Sequence, residues 1–294
     1  MDSSPETEAL LTSWGLALHD KAASTRALYA DVVRRFARWL PEGHGLLDVR
    51  RRDVEGYLSH LRDEGRAPAT IRSRWIALRS FYAWAAGEDE IDTNPMLGVK
   101  VARPDPPPPA MPDDDDLRRL WKVLTGRGFY ERRDLAMIRV AAATGVRVGE
   151  LCALELADVD LAARVIAIRH GKGGKARAAR FDQETGAALD RYLRARARHR
   201  LANLDTVFLS RFGPFGRKGA SAMLTRRCEQ AGIPAIHWHQ LRHRFAHAWL
   251  AKGGQEGDLA RLGGWTDPGV MRRYGSALAT ERALDAYDEV GGVL

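Results

Sequence analysis

The segment Arg103-Pro-Asp-Pro-Pro-Pro-Pro-Ala-Met-Pro112 divides this chain of 294 residues into two parts. Six of its ten residues are proline, which fixes φ and lacks the backbone N–H that a helix needs, so an extended connection is favoured. A length of 294 residues is also typical of two domains. We predict a helical domain over residues 8–102, a proline-rich linker over 103–112 and a second domain over 113–294.

Basic side chains are concentrated in the second part. Residues 1–102 contain 14 basic and 15 acidic residues, whereas residues 103–294 contain 32 basic and 23 acidic ones. A positively charged domain suits a polyanion such as nucleic acid. A globular protein from an arginine-rich proteome would show the same excess, so charge alone leaves both explanations open.

Composition excludes several other classes of protein. Hydrophobic residues make up 45% of the chain, as in globular proteins, and no apolar run reaches the length of a membrane span. The acidic start, Met1–Glu8, is unlike a secretory signal. Two cysteines, Cys152 and Cys228, are too few for a disulfide scaffold or a four-cysteine zinc site, and they favour a reducing, cytoplasmic environment.

The first part is predicted to form a small helical bundle. Apolar residues recur with helical spacing in stretches that proline, glycine or polar residues separate. One helix covers about Leu10–His19, and Pro68 begins the last one. The apolar positions of the other three helices are Leu28, Val32, Phe36, Trp39 and Leu40; Val54, Tyr57, Leu58 and Leu61; and Ile71, Trp75, Leu78, Phe81, Tyr82 and Trp84.

The second part combines helices with a pair of strands. Arg164–Arg169 alternates and is rich in β-branched residues, so we expect a strand there, a turn over His170–Lys175 and a returning strand over Ala176–Phe181. Helices are predicted over Leu117–Leu124, Leu135–Ala143, Thr185–Leu201, Ala246–Lys252, Asp258–Leu262 and Thr280–Val290. The fold class is therefore mainly α with a small antiparallel β-sheet.

The first of four motifs with chemical potential is Ala143-Thr-Gly-Val-Arg-Val-Gly-Glu-Leu151. Arg147 follows a glycine turn and begins a helix, and both a helix N-terminus and a guanidinium attract phosphate. Glu150 lies three residues later on the same helical face, where it can orient Arg147. An ordinary surface ion pair has the same spacing and would contribute little.

The second motif is Gly171-Lys-Gly-Gly-Lys175 in the predicted hairpin turn. It is not a P-loop, because the leading glycine has the wrong spacing and no serine or threonine follows the lysine. Lys172, at the tip of a glycine-flanked loop, can approach a ligand. A plain polar hairpin turn is the alternative.

The third motif is the row His239, His243 and His247, which a helix would place on one face, with Arg242 beside it. This spacing can bind zinc, but the sequence has no inserted glutamate as in H-E-x-x-H and no acidic ligand nearby. A cluster of histidine and arginine donors directed at an anion fits better.

The fourth motif, Arg261–Gly275, contains Trp265 and a tyrosine, Tyr274, that two arginines precede. A phenol beside cationic groups has a favoured phenolate and is a usable nucleophile. The alternative is an ordinary core tyrosine.

Two further charged groups have competing interpretations. Asp113–Asp116 could bind a metal, but carboxylates before an amphipathic run more often cap a helix and interact favourably with its dipole. Arginines on the last helix of the first part form either a solvated face or a DNA contact. As candidate DNA-binding residues we assign Arg72, Arg74, Arg79 and Lys175.

Together the four motifs, A-T-G-x-R-x-x-E-L, G-K-G, H-x-L-R-H, and L-G-x-W followed by R-Y, resemble the tyrosine recombinase family of phage integrases and Xer-type proteins. The resemblance covers essentially the whole chain and implies a SAM-like core-binding domain followed by an α+β catalytic domain. Gly264, between Gly263 and Trp265, departs from the pattern of many relatives. The resemblance implies catalytic roles for Arg147, Lys172, His239, Arg242, Trp265 and Tyr274, and supporting roles for Glu150 and His243.

The resemblance also implies a mechanism and partners. Tyr274 would attack a DNA phosphodiester, form a 3′-phosphotyrosyl link and release a 5′-hydroxyl, with no cofactor and no metal. The substrate would be double-stranded DNA recombination sites, bound by a tetramer in which the tail helix over Thr280–Leu294 docks on a neighbour. Accessory DNA-bending or directionality proteins are further expected partners, and the location would be the cytoplasm, at the nucleoid.

Other functions stay open on the sequence alone. A type IB topoisomerase shares the tyrosine chemistry, a non-catalytic DNA-binding relative shares the fold, and a zinc-dependent nuclease would use the histidine row. Within the recombinases, the predicted bundle begins within about ten residues of Met1, too close to it for an arm-site-binding domain. We therefore expect a compact integrase of a mobile element, with a Xer-like chromosome dimer resolvase as the alternative.

Overall fold

The computed structural model describes residues 4–102, 111–169 and 176–265, together with Tyr287. The chain divides into two compact units, Met1–Pro106 and Pro107–Leu294, each with its own hydrophobic core. Both units are mainly helical, and the sheet in the described part is small and antiparallel, which confirms the predicted fold class. Among the described helices none is both long and apolar enough to cross a membrane.

The first unit is a bundle in which one long helix packs against the others. Within residues 4–102 the α-helices are α1 (Pro5–Ala17), α2 (Ala23–Trp39), α3 (Arg51–Asp63) and α4 (Pro68–Gly87). Pro68 occupies the first turn of α4, where its missing N–H would be unpaired in any case. Helix α4 contacts α1, α2 and α3, so its apolar side forms the centre of the core.

Aromatic rings pack together within the core of this unit, among aliphatic side chains. Trp14, Phe36, Phe81 and Tyr82 are almost completely buried, and Trp14 meets Phe81 edge to face with 5.3 Å between ring centroids. The Tyr82 hydroxyl donates a hydrogen bond to the carbonyl of Leu46 at 3.0 Å, which satisfies the one polar group of that ring.

Leu28, one of the predicted apolar positions of α2, does not lie in the core. It is 49% exposed and lines an open groove, whose α4 side includes the small residues Ala69 and Thr70. These side chains are too short to cover a leucine across the groove. Helix α2 turns Val32 and Phe36 into the core instead.

The second unit contains most of the elements. Its helices in the described ranges are α5 (Asp114–Val123), α6 (Phe129–Thr144), α7 (Val148–Cys152), α8 (Gln183–Arg196), α9 (Arg217–Ala231), α10 (Trp238–Ala251) and α11 (Glu256–Gly263). Helix α6 is central, because it packs against α8, α9 and α10. The Asp113 carboxylate accepts the Asp116 N–H at 2.7 Å, so the acidic run caps α5.

The strands are β1 (Val159–Asp160), β2 (Val165–Ile168) and β3 (Arg177–Arg180), paired antiparallel in the order β1-β2-β3. The register pairs Val165 with Arg180 and Ile168 with Arg177. Alternation along β3 places Ala179 in the core, and Arg177 shares its side of the strand.

Several features of the second unit differ from expectation, including a third strand, β1, beside the predicted pair, and the start of α10 at Trp238 rather than Ala246. Helix α9 was not predicted, because buried Arg227 interrupts its apolar pattern. Helix α8 ends at Arg196 rather than near residue 201, because that guanidinium is buried against the backbone that follows, donating to the carbonyls of Thr206 and Val207. The predicted helix over residues 280–290 lies outside the described residues except for Tyr287.

Candidate active site

The turn after helix α6 places Arg147. Helix α6 ends at Gly145, whose φ of +62° lies in the left-handed region that glycine adopts without strain. A Cβ there would lie 2.5 Å from Cδ1 of Phe245, so the packing leaves no room for a side chain. The chain turns at this glycine, and Arg147 becomes the N-cap residue of α7.

Glu150 orients Arg147 through two hydrogen bonds. Its Oε2 accepts the backbone N–H of Arg147 at 3.0 Å, and its Oε1 accepts Nη1 of the same residue at 2.9 Å. The Glu150 side chain is 7% exposed and that of Arg147 is 30% exposed. The carboxylate is therefore enclosed, while the guanidinium keeps a surface that a ligand can reach.

Arg177 completes the surroundings of Glu150, and sequence reasoning missed it. Its Nη1 and Nη2 donate to Oε1 and Oε2 of Glu150 at 3.1 and 2.6 Å. Burial alone would raise the pKa of Glu150, but the hydrogen bonds from Arg177 and Arg147 outweigh it and lower that pKa. The sequence signal that could have indicated it is strand alternation, because Arg177 lies two residues before Ala179 and therefore on the same side of the predicted strand.

Arg242 is buried beneath Trp265. It lies in the first turns of α10 and is 1% exposed. Its Nη1 donates to the Gly145 carbonyl, its Nη2 donates to the Gly263 carbonyl at 2.7 Å, and its Cζ lies 3.7 Å from the centre of the Trp265 ring. This cation–π contact fixes the guanidinium plane on the indole face.

The two predicted arginines meet at the end of helix α11. Gly264 ends this helix with a left-handed φ of +64°, and its carbonyl accepts Nη2 of Arg147 at 3.0 Å. The neighbouring Gly263 carbonyl accepts Arg242. Gly264, the departure from the family pattern, is therefore a helix cap and a hydrogen-bond acceptor.

His239 lies near both guanidinium groups. It is exposed, yet partial desolvation by the surrounding atoms, followed by the positive charges of Arg242 and Arg147, lowers its pKa. Its ring meets that of His243 with centroids 4.2 Å apart. The lowered pKa favours the neutral imidazole of His239, and solvent can reach this ring.

A metal site on the histidine row is not formed in the part of the chain that the structure describes. That part contains no group of three or more His, Cys, Asp or Glu side chains placed to hold a metal ion. His239 and His243 are in contact with each other, but His247 does not join them in such a group. The aspartates at Asp113–Asp116 cap α5 instead.

Lys172, Lys175 and Tyr274 lie outside the described residues. Of the remaining predicted catalytic and supporting residues, Arg147, Glu150, His239, Arg242, His243 and Trp265 all lie within the one site.

The arginines of α4 are divided between two sides of that helix. Arg72 and Arg79 stack on Trp75, at 5.7 and 5.0 Å from its ring centre, and Arg72 also donates to the Val101 carbonyl. Arg74 instead lies beside the Tyr57 hydroxyl, at 3.4 Å. They therefore do not form one continuous basic surface.

Comparison with known proteins agrees with this architecture. The profile described as "Phage integrase family" matches residues 113–281, and that described as "Phage integrase, N-terminal SAM-like domain" matches residues 15–89. Tyrosine recombinase XerC of Bacillus pumilus is 31% identical over 262 residues, covering 86% of each chain. Tyrosine recombinase XerD of Halalkalibacterium halodurans is 30% identical, covering 82% of this chain and 81% of its own.

Solved structures share the fold at lower identity. The Tn1549 transposon integrase in complex with transposon right end DNA has a TM-score of 0.78 at 18% identity, covering 97% of this chain and 99% of its own. The XerA recombinase has a TM-score of 0.55 at 24% identity, covering 98% and 100%.

The fold and the matched sequence define an enzyme that cuts and rejoins DNA through a phosphotyrosine intermediate. The chain belongs to the phage integrase family, whose members are tyrosine recombinases.

Proposed function

We propose that Tyr274 is the nucleophile of site-specific recombination. Its hydroxyl oxygen attacks a DNA phosphorus, a new P–O bond forms to the tyrosine, and the bond to the 5′-oxygen breaks. The phosphoester energy is kept in the 3′-phosphotyrosyl adduct, so rejoining consumes no nucleotide cofactor. A 5′-hydroxyl from a second duplex then attacks the adduct and exchanges the strands.

The convergence of Arg147 and Arg242 carries this proposal. Both guanidinium groups donate to adjacent carbonyls, those of Gly264 and Gly263, so they lie side by side although the residues come from different elements. Negative charge grows on the non-bridging phosphate oxygens in the transition state, and charge-assisted hydrogen bonds to guanidinium groups stabilise it. The indole N–H of Trp265 is assigned as a further donor.

Two side chains are assigned to proton transfer. His239, whose lowered pKa favours the neutral imidazole, is assigned to accept the phenolic proton of Tyr274. Lys172 donates a proton to the leaving 5′-oxygen. Glu150 and His243 touch Arg147 and His239 respectively, so we assign them the orientation of those residues.

Recombination of two duplexes needs four strand cuts, and we propose that four protomers assemble on double-stranded DNA. Tyr287, the one described residue of the tail, is 57% exposed within a single chain, so its ring is available for contact with a neighbour. Truncation after residue 279 is then expected to preserve DNA binding and abolish synapsis; synapsis by the truncated chain would contradict trans docking.

DNA contacts are proposed for Arg72, Arg74, Arg79 and Lys175. The stacking of Arg72 and Arg79 on Trp75 makes them the pair to contact phosphates together, with Arg74 acting separately. Neutralising one phosphate contact is expected to reduce the salt dependence of binding by about one unit of slope. Arg52→Gln, in α3 and with an exposed side chain, is the matched control.

The proposed role is that of a compact integrase of a mobile element. Xer-like dimer resolution is the second candidate, because relatives about 30% identical over most of the chain are named XerC and XerD. Sequencing the DNA that is covalently bound in source cells separates them. Adducts at the ends of an excisable element support the integrase, whereas one chromosomal site with no such element supports the resolvase.

Covalent trapping tests the chemistry directly. The full chain is incubated with nicked duplexes from its own genetic neighbourhood, quenched with detergent, and any DNA-linked peptide is mapped by mass spectrometry. We expect a link at Tyr274 that persists in EDTA, disappears in Tyr274→Phe and remains in the control Tyr287→Phe. An adduct at another tyrosine, or none despite tight DNA binding, would contradict the proposal.

A further inference from the structure

Three consecutive backbone carbonyls at the end of α11 each bind a different arginine. The Leu262 carbonyl accepts Nε of Arg177 at 3.0 Å, that of Gly263 accepts Arg242, and that of Gly264 accepts Arg147. The last carbonyls of a helix lack intrahelical partners and carry partial negative charge. This helix end therefore brings together guanidinium groups from three separate elements.

All three guanidinium nitrogens of Arg177 donate hydrogen bonds within the protein. Two of its nitrogens bind the two oxygens of Glu150 as a fork, and the third binds Leu262. Its side chain is 9% exposed, compared with 30% for Arg147. Arg177 therefore has its charge paired with the Glu150 carboxylate and each of its three nitrogens bound within the protein.

The two groups that hold Arg147 are also the two that Arg177 holds. Arg147 is fixed by Glu150 and by the end of α11, and Arg177 bridges the same carboxylate and the same helix end. Without Arg177, Glu150 would keep one cationic partner and could rotate toward it. The end of α11 would also lose its link to strand β3.

We propose that Arg177 is a positioning residue, which sets the orientation of the Arg147 guanidinium through Glu150 and the Leu262–Gly264 carbonyls. The role rests on the proposed function of Arg147 in binding the scissile phosphate. Arg177 itself touches neither DNA nor the reacting atoms. It determines whether the exposed N–H groups of Arg147 face the phosphate.

The first test observes Arg147 without DNA. The full chain is labelled at arginine, and the NMR signals of the guanidinium N–H groups report their exchange with solvent. The signals of Arg147 are assigned by their loss in Arg147→Lys. Because the loss of a net hydrogen bond corresponds to about a fivefold change, exchange at Arg147 is expected to be about fivefold faster in Arg177→Gln. Arg180→Gln, an exposed position on the same strand, is the matched control and should leave these signals unchanged.

The second test measures adduct formation in single turnover with saturating nicked duplex. Misorientation of a catalytic group can cost up to about 100-fold, so we expect Arg177→Gln to slow the reaction about 10- to 100-fold at unchanged DNA affinity. In an Arg147→Gln background, Arg177→Gln should slow it less than about twofold further, because coupled residues are non-additive. Arg177→Lys should recover part of the rate and controls for loss of folding.

The results distinguish the positioning role of Arg177 from the proposed recombinase function. Unchanged Arg147 signals in Arg177→Gln, or effects that multiply in the double variant, would overturn the positioning role alone. A wild-type adduct rate in Arg147→Gln would overturn both. If the wild-type chain forms no adduct, the proposed function fails, while the exchange measurement still decides whether Arg177 positions Arg147.

Discussion

Two arginine clusters in the described part of the second unit, each organised around one carboxylate, differ in how much of their guanidinium surface stays accessible. In the Asp134 cluster (Arg133, Asp134 and Arg227), four guanidinium nitrogens bind the two oxygens of Asp134 at 2.6 to 3.0 Å. Both arginines are at most 9% exposed. In the Glu150 cluster (Arg147, Glu150, Arg177 and Arg242), Arg147 remains 30% exposed.

Every guanidinium nitrogen of Arg133 and Arg227 is bound within the protein. The remaining nitrogens of the Asp134 cluster also bind protein, with Arg133 donating to the Leu209 carbonyl and Arg227 to the Gln230 amide oxygen. The cluster connects α6 to α9. In the Glu150 cluster, carbonyls bind much of the guanidinium surface and Arg147 stays partly exposed, so its positive charge remains accessible to an anion.

Of the substitutions that test this comparison, Asp134→Asn should have the largest effect. Removal of one partner leaves buried guanidinium charge uncompensated, so we expect unfolding free energy to fall by about 3–5 kcal/mol. Urea denaturation of the full chain measures it, with Asp115→Asn, whose side chain is 76% exposed, as the control. The adduct rate per folded molecule should stay unchanged; a selective loss of rate would make the Asp134 cluster functional too.

Next comes Arg242→Met. A lost transition-state donor typically costs about 10²–10³ in rate, so adduct formation with nicked duplex should slow by that factor per folded molecule. Arg244→Met, on the same helix and paired with Asp114, is the control. A rate within a few-fold of wild type would mean that Arg242 is structural, like the arginines of the Asp134 cluster.

A pair of glycines offers a smaller and well-matched test. Gly264 and Gly232 both end helices with φ of +64°, so alanine at either should cost about 1–2 kcal/mol of unfolding free energy. Only at Gly264 would the new Cβ approach the site, 3.0 Å from Nη1 of Arg177. The adduct rate should therefore fall in Gly264→Ala and not in Gly232→Ala; equal rates would separate this helix end from catalysis.

The smallest effect concerns pH. Because the folded pKa of Glu150 is lowered, its ionisation stabilises the fold above the ordinary pKa of 4.5, and this contribution is lost as pH falls through the folded pKa. The stability difference between wild type and Glu150→Gln should therefore shrink from pH 7 toward pH 3. Urea titrations measure it, with Glu155→Gln, half-exposed, as the control. A constant difference would mean that charge is not what Glu150 contributes.

The sequence could predict a contact of the site only where the two residues lie close together along the chain. Arg147 and Glu150 are three residues apart, so helical spacing was enough to expect their contact. Arg177 meets Glu150 across 27 residues, and Arg147 meets the Gly264 carbonyl across 117. A carbonyl has no side-chain identity, so no residue pattern could indicate which one accepts a given arginine.

The fold was predicted where apolar periodicity is regular. The helices of the first unit and the β2–β3 pair follow from such patterns, whereas α9 was missed because its inward face includes Arg227, whose partner Asp134 lies 93 residues earlier. Gly264 was noted only as a departure, since its left-handed cap becomes apparent only with the helix end in place.

Because Arg242 stacks on Trp265, the fluorescence of this tryptophan should report on the binding of an anion to the site. A cation 3.7 Å from the indole centre perturbs the electronic environment of that ring, and an anion that partly neutralises Arg242 would reduce the perturbation. The emission spectrum of wild type minus that of Trp265→Phe would isolate this one fluorophore among eight tryptophans. Occupancy of the guanidinium pair could then be followed in real time, before any strand is cut.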